Sequence, residues 1–184
     1  MAAAITAREF KLLLKPELFP TKKAVIAFNE RLTKIAADAG VRYEPFDRID
    51  SEMRGVQFFD TPDCVFRDNH VILRLRRDAS SGFPDETYEV TFKLRSPDFR
   101  ASADFNVDST MKEISIKKKF KEEILRGNKQ GTIKSIFSNN LIGYYPVAKF
   151  EHPLSEIMEI FPGLKALNLD GTKMVSAVNG ARVL

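Results

Sequence analysis

Four segments of the chain alternate charged with apolar residues, a period that predicts β-strands with one buried face. These segments span residues 8–12, 71–76, 88–95 and 114–124. One parity along each strand collects the following charged side chains: Glu9, Lys11, Arg74, Arg76, Glu89, Lys93, Arg95, Lys117, Lys119, Lys121 and Glu123. If these faces line one concavity, it holds eight cations and three carboxylates. Such a surface suits a polyanion and leaves acids available for a divalent metal.

The composition indicates a globular protein with its own hydrophobic core. With 184 residues and a hydrophobic fraction of 43%, residues 1–184 are expected to form a single domain. No segment has the apolar length that a bilayer requires, and the N-terminus carries no secretory signal. Cys64 is the one cysteine, which excludes an internal disulfide and favours the cytoplasm. The net charge of +4 permits nucleic acid, polyphosphate or acidic proteins as partners without choosing among them.

The remaining patterns predict an α+β fold. Thr21 is expected to cap a helix over 22–39 whose apolar stripe covers a sheet. Strands are expected over 5–14, 56–59, 70–77 and 87–95, the last three in antiparallel succession, and a final strand over 173–184. Helices are expected near 132–138 and 154–161, whereas 96–109 has no assigned structure. Asp60 is interpreted as a turn residue that caps backbone amides.

The order of several short motifs resembles a known family. In chain order these motifs are Glu9-Phe10-Lys11, a helix, Phe58-Phe59-Asp60-Thr61-Pro62, Leu73-Arg74-Leu75-Arg76 and Val90-Thr91-Phe92-Lys93. This order resembles the CYTH superfamily, the triphosphate tunnel metalloenzymes, which includes class IV adenylate cyclases, thiamine triphosphatases and inorganic tripolyphosphatases. The resemblance covers about residues 5–95 and is weaker over 117–167.

The resemblance implies an antiparallel β tunnel or barrel of about eight strands, with a charged interior and helices packed on the outside. It assigns Lys11, Arg74, Arg76 and Lys93 to substrate phosphates and Glu9 to a Mg²⁺ or Mn²⁺ ion. Strand parity adds Lys119 as a phosphate ligand and Glu123 as a metal ligand. The apolar residues that would face the outer helices are Phe10, Leu12, Leu73, Leu75, Val90, Phe92, Ile114, Ile116 and Phe120.

Two positions depart from the family pattern. The first strand of the family reads Glu-x-Glu-x-Lys, but this chain has Ala7 at the first acidic position, and alanine cannot ligate a metal. Lys121 lies where related sequences often carry an acid. Both changes should weaken cation binding. The resemblance also implies further strands after the last residue, so the tunnel is expected to be incomplete at its C-terminus unless a homodimer closes it.

Two functions therefore remain open at this point. The preferred one is metal-dependent hydrolysis of a triphosphate or short polyphosphate; adenylate cyclase activity is less favoured, because no residue identifiably selects adenine. The alternative is a non-catalytic protein that binds polyphosphate or a phosphorylated ligand and whose metal site has decayed. RNA binding on the basic sheet is disfavoured, because the aromatic residues do not lie among the cations in the sequence pattern.

Overall fold

The computed structural model describes residues 4–10, 15–45, 54–79, 86–112, 115–129, 131–146 and 148–183. The chain forms two compact units, of which the larger contains Met1–Lys11 with Glu52–Leu184 and the smaller contains Leu12–Ser51. None of the helices in the described ranges has the length and apolar character needed to cross a membrane.

The smaller unit contains the predicted N-terminal helix. A short 3-10 helix, Pro16–Leu18, precedes α1, Lys22–Asp38. The Thr21 hydroxyl accepts a hydrogen bond from the backbone N–H of Ala24 at 3.3 Å, which confirms the predicted cap. Gly40 follows the helix with φ of +65°, a conformation that favours glycine at a helix C-terminus. The packing of the apolar stripe of α1 against a sheet stays a prediction.

The larger unit is built on one mixed β-sheet. The described residues of this unit form seven strands and four helical segments. In chain order these elements are β1 (Ala7–Phe10), β2 (Arg54–Asp60), α2 (Val65–Asp68), β3 (Val71–Asp78), β4 (Tyr88–Ser96), α3 (Phe99–Asp104), β5 (Ser115–Arg126), β6 (Ile133–Tyr145), α4 (Leu154–Ile160), a 3-10 helix (Pro162–Leu167) and β7 (Ser176–Val183). The strand order across the sheet is β1-β5-β6-β4-β3-β2-β7. The architecture is α+β, and β2, β3 and β4 are antiparallel neighbours, as predicted.

Two expectations about the sheet were wrong. Residues 132–138 were expected to be helical, but 133–138 belong to β6, which pairs with β5 over twelve residues. This long ladder satisfies the backbone more fully than a short isolated helix would. The sheet is also not wholly antiparallel, because β1 runs parallel to β5. The described strands form an open sheet with β1 and β7 at its edges, and closure into a tunnel stays a prediction.

The hydrophobic core lies on one face of this sheet. Leu73, Leu75, Val90 and Phe92 are buried there, as predicted. Residues of α4 and of the 3-10 helix that follows it complete the core, and the ring of Phe161 stacks on Phe92 with 4.3 Å between centroids. Not all predicted outward residues are covered. Phe10 is 76% exposed and Ile116 is also exposed, whereas Phe120 is buried; Leu12 and Ile114 lie outside the described residues.

A close backbone approach explains one glycine in the C-terminal part of the core. A side chain at Gly163 would place its Cβ 1.9 Å from the carbonyl oxygen of Asn106. This distance is shorter than any real contact, so only glycine allows the 3-10 helix to approach the segment that follows α3. The approach brings Phe161 and Leu164 into the core.

The turn after β2 has the structural role that was expected. The buried carboxylate of Asp60 accepts hydrogen bonds from three backbone N–H groups: Thr61 at 2.8 Å, Phe66 at 2.7 Å and Arg67 at 3.0 Å. Two of these donors lie in the first turn of α2, where a backbone N–H group has no acceptor within the helix, and Asp60 supplies one. The interpretation of Asp60 as a capping residue is confirmed.

Candidate functional site

The face of the sheet opposite the core is lined by charged side chains. We call it the polar face, and its described charged residues are Glu9, Arg54, Arg74, Arg76, Asp78, Glu89, Lys93, Arg95, Lys117, Lys119, Lys121, Glu123 and Lys134. The strand register places ten of the eleven residues selected by sequence parity on it, which confirms the parity. Lys11, the remaining one, lies outside the described residues. These ranges give the face nine cations and four carboxylates.

Two arginines on β3 share one carboxylate of β4. Arg74 Nη2 lies 3.2 Å and Arg76 Nη1 lies 3.4 Å from the same oxygen, Oε1 of Glu89. Arg74 also donates to the hydroxyl of Thr91 at 2.8 Å. One carboxylate is thus divided between two guanidinium groups, which leaves this part of the face with an excess of positive charge.

The same two arginines have unused donors. The Nε atoms of Arg74 and Arg76 are both buried, and neither finds a hydrogen-bond acceptor in the part of the chain that the structure describes. Burial, followed by the charge of Arg76, lowers the pKa of the Arg74 guanidinium below its ordinary value. An oxyanion that reaches these groups would supply an acceptor and offset the repulsion between them.

A second cluster joins β1, β4 and β5. Glu9 and Glu123 are register partners in the parallel β1–β5 pair, so their side chains lie side by side. Lys121 binds Glu9, and Arg95 donates to Oε2 of Glu123 through Nη2 at 2.8 Å and Nε at 3.2 Å. The structure therefore brings the two predicted metal ligands together, but gives each of them a cationic side chain as partner.

The two predicted phosphate lysines lie in one row across the sheet. Lys93 on β4 and Lys119 on β5 both pair in register with Asn140 of β6, which lies between them. Lys93 is half-buried, whereas Lys119 is exposed and forms no salt bridge with any described residue. Asn140 is itself buried, together with Ser138 and Thr91, so short polar side chains form the floor of the central face.

Sequence reasoning missed an aromatic residue on this face. Phe58 pairs in register with Arg74, and its side chain borders a cavity of about 470 Å³ that Ile72 and Arg95 also line. The sequence interpretation assigned the phenylalanines to core packing, but Phe58 shares the parity of the arginines. Val56, Phe58 and Asp60 alternate along β2 and so share one face, but only the pairing of β2 with β3 shows that this is the face of the arginines.

Two further residues of the polar face, Arg54 and Tyr144, were not predicted as site residues from the sequence. They lie beside Arg76, on the side away from Phe58. They line a cavity of about 140 Å³ together with Arg76, Asp78 and Glu89. Burial, followed by the charge of Glu89, raises the pKa of Tyr144 above its ordinary value, so its hydroxyl remains a donor at neutral pH. Tyr144 was not found because the beginning of β6 was assigned to a helix.

The chain matches no protein-family model, no curated protein and no solved structure. The roles of Lys11, Arg74, Arg76, Lys93 and Lys119 toward phosphate, and of Glu9 and Glu123 toward a metal, therefore stay predictions.

The carboxylates of the polar face, as arranged, do not fit a divalent metal. Magnesium is commonly held by one or two protein carboxylates together with phosphate oxygens, so Glu9 and Glu123 would suffice in number. Both, however, are bound by cationic side chains. Within the described ranges, no three His, Cys, Asp or Glu side chains converge in a way that could hold a metal ion.

Proposed function

We propose that this protein binds a triphosphate group or a short inorganic polyphosphate on its polar face. The observation that carries the proposal is the pair of buried guanidinium Nε atoms of Arg74 and Arg76 that find no acceptor among the described residues. A buried donor without an acceptor costs about 1–3 kcal/mol, and the forked guanidinium group matches phosphate oxygens. Phosphate bound here would satisfy donors that the described part of the protein leaves unsatisfied.

The spread of the cations favours several linked phosphates over a single one. Arg74 on β3 and Lys119 on β5 are separated by three strand intervals, which amounts to about 14 Å across the sheet, and Lys93 on β4 lies between them. An extended anion with regularly spaced charges can contact all three strands that carry these residues. A single phosphate could contact one end only.

Direct binding of tripolyphosphate tests this function. We expect calorimetry in the presence of EDTA to show binding that weakens about tenfold or more in Arg74→Gln and in Lys93→Ala, because each variant removes a charge-assisted hydrogen bond. Arg8→Ala is the matched control. Arg8 lies on the other face of β1, bound to Glu122, so its removal changes the net charge equally and should leave the affinity nearly unchanged. Equal losses in all three variants would indicate general electrostatic attraction and would contradict a defined site.

The cavity beside Phe58 makes the choice of anion informative. It adjoins the arginine cluster and could accept an organic group attached to the phosphates. Tripolyphosphate, ATP and thiamine triphosphate should therefore be compared under the same conditions. Tighter binding of the organic compounds that is lost in Phe58→Ala would place their organic part in this cavity.

Metal-dependent hydrolysis of the same anion is the second candidate. Glu9 and Glu123 lie side by side, as the two protein carboxylates of a magnesium site can, but hydrolysis requires that the metal ion displace their cationic partners. Phosphate release with Mg²⁺ or Mn²⁺ decides between the candidates. Turnover that is lost in both Glu9→Ala and Lys93→Ala would establish hydrolysis. Binding without turnover, retained in Glu9→Ala and weakened in Lys93→Ala, is the result expected of a binding protein.

A further inference from the structure

We propose that the ammonium group of Lys121 takes the place of a divalent cation beside Glu9 and Glu123, so that the polar face binds its anion without a metal ion. The proposal rests on the proposed function for the nature of the anion. The part that concerns the metal can be tested without any phosphate, because it depends only on the cluster of Glu9, Lys121, Glu123 and Arg95.

The two carboxylates of the cluster lie directly opposite each other. Glu9 and Glu123 face each other across a parallel pair whose strands lie about 4.8 Å apart. Like charges directly opposite one another on adjacent strands destabilise the pair. A cation between or beside them relieves this repulsion, and a divalent metal ion is one way to supply it.

The protein itself already supplies positive charge beside both carboxylates. Lys121 precedes Glu123 by two residues on β5, so it lies on the same face, and its ammonium group binds Glu9. Arg95 reaches from β4 across β6 and donates both Nε and Nη2 to Glu123. Each of the two carboxylates thus has a cationic partner from the protein. Lys121 is the partner of Glu9, which is the more exposed of the two carboxylates.

Burial strengthens this arrangement. The side chain of Glu123 is 4% exposed, and those of Lys121 and Glu9 are 20% and 32% exposed, so solvent screens these two ion pairs less than it screens fully exposed ones. A metal ion that enters this cluster must displace the ammonium group or lie next to it. Displacement breaks the ion pair with Glu9, and a neighbouring position places two like charges together. Either way, the affinity for a divalent cation is low.

The other described carboxylates of the polar face are occupied in the same way. Glu89 accepts from Arg74 and Arg76, and Asp78 accepts from Arg54 at 2.7 Å. Each of the four carboxylates counted above on this face is therefore bound to a cation. Its remaining positive charge, on residues such as Lys119, is directed to an anion rather than balanced by acids.

Binding of Mn²⁺ alone, measured by calorimetry without phosphate, tests the proposal. We expect weak binding to the wild-type protein and binding about tenfold tighter or more in Lys121→Met, because the variant removes the competing ammonium group but keeps its aliphatic stem. Adding Glu9→Gln to this variant should abolish the gain. Lys118→Met is the matched control, since Lys118 lies on the same strand, faces the other side and binds the carboxylate of Asp108.

Two outcomes would overturn the proposal. Wild-type protein that binds Mn²⁺ as tightly as Lys121→Met, with the affinity lost in Glu9→Gln, would show that the carboxylates hold a metal beside Lys121. No gain in Lys121→Met, or an equal gain in Lys118→Met, would show that Lys121 does not occupy a cation position. Circular dichroism establishes that each variant is folded, and Lys121→Gln replaces the methionine variant if that one fails to fold.

Tripolyphosphate binding separates this proposal from the proposed function. Wild-type protein should bind tripolyphosphate in EDTA. Binding that is absent in EDTA but restored by Mn²⁺ would overturn the metal-free arrangement and leave the phosphate site in place. Absence of binding under both conditions would instead overturn the proposed function, whatever the Mn²⁺ titrations show.

Discussion

Replacing Phe92 with alanine is expected to lower the free energy of unfolding by about 3–5 kcal/mol. Phe92 lies on the central strand β4, is 0% exposed and contacts the rings of Phe161 at 4.3 Å and Phe105 at 5.8 Å between centroids. Its ring joins the sheet to the segments that cover the core face. The truncation removes apolar burial and leaves a cavity that the flanking aromatic rings can fill only in part.

Urea denaturation followed by circular dichroism measures this loss. Phe10→Ala is the matched control, because it is the same substitution on an edge strand, at a side chain that is 76% exposed. The control should alter the free energy of unfolding by about 0.5 kcal/mol or less. Similar losses in the two variants would contradict the packing of the C-terminal helical segments on β4.

The two central strands could be predicted from the sequence because their two faces differ so clearly. Leu73 and Leu75 alternate with Arg74 and Arg76 on β3. A register shift of one residue would bury the arginines and expose the leucines, so the pattern alone decides which side chains share a face. The same reasoning holds for β4. The charged residues of both strands can therefore be assigned to one face from the sequence alone, without knowledge of the strand order.

The strand β6 could not be predicted in this way. Ile136, Ser138, Asn140 and Ile142 share one face, so polar and apolar residues are mixed along it. Ser138 and Asn140 are buried there because Asn140 Nδ2 donates to the carbonyl oxygens of Lys119 at 3.0 Å and Ser138 at 2.8 Å. Burial through hydrogen bonds with a neighbouring strand leaves no binary pattern in the sequence, and the pairing itself is a tertiary property.

The candidate site shows the same division between what is local and what is not. Parity indicated which charged residues share a face, but it did not indicate which of them bind one another. Glu89 is divided between two arginines, and Glu123 binds Arg95. These partners lie on different strands, so their contacts depend on strand order. The parallel pairing of β1 with β5, which brings Glu9 to Glu123, depends on it most of all.

The ion pair between Arg95 and Glu123 should be the most costly polar contact of the polar face to break. We expect Arg95→Met to lower the free energy of unfolding by about 2–4 kcal/mol, somewhat less than for a fully buried pair because the Arg95 side chain is 32% exposed. The variant removes two charged donors from a carboxylate that is 4% exposed, while the methionine retains most of the apolar stem. Thermal and urea unfolding both report this loss.

The adjacent acid on β5 provides a control for this prediction. Arg8 binds Glu122 with the same shortest N–O distance of 2.8 Å, but the Arg8 side chain is 66% exposed. Arg8→Met should therefore change the free energy of unfolding by about 0–1 kcal/mol. Equal losses in Arg8→Met and Arg95→Met would show that burial of Glu123 is not the cause.

A second substitution separates the value of the ion pair from the penalty of breaking it. In Arg95→Met/Glu123→Leu both charges are absent, and we expect most of the stability to return, to within about 1 kcal/mol of the wild-type protein. The lower stability of Arg95→Met would then come from leaving the buried Glu123 carboxylate without its guanidinium partner, since removing the carboxylate restores stability without restoring the ion pair. If the double variant is less stable than Arg95→Met, a buried carboxylate deprived of its partner does not explain the loss, and the pair contributes net stability by joining β4 to β5 across β6.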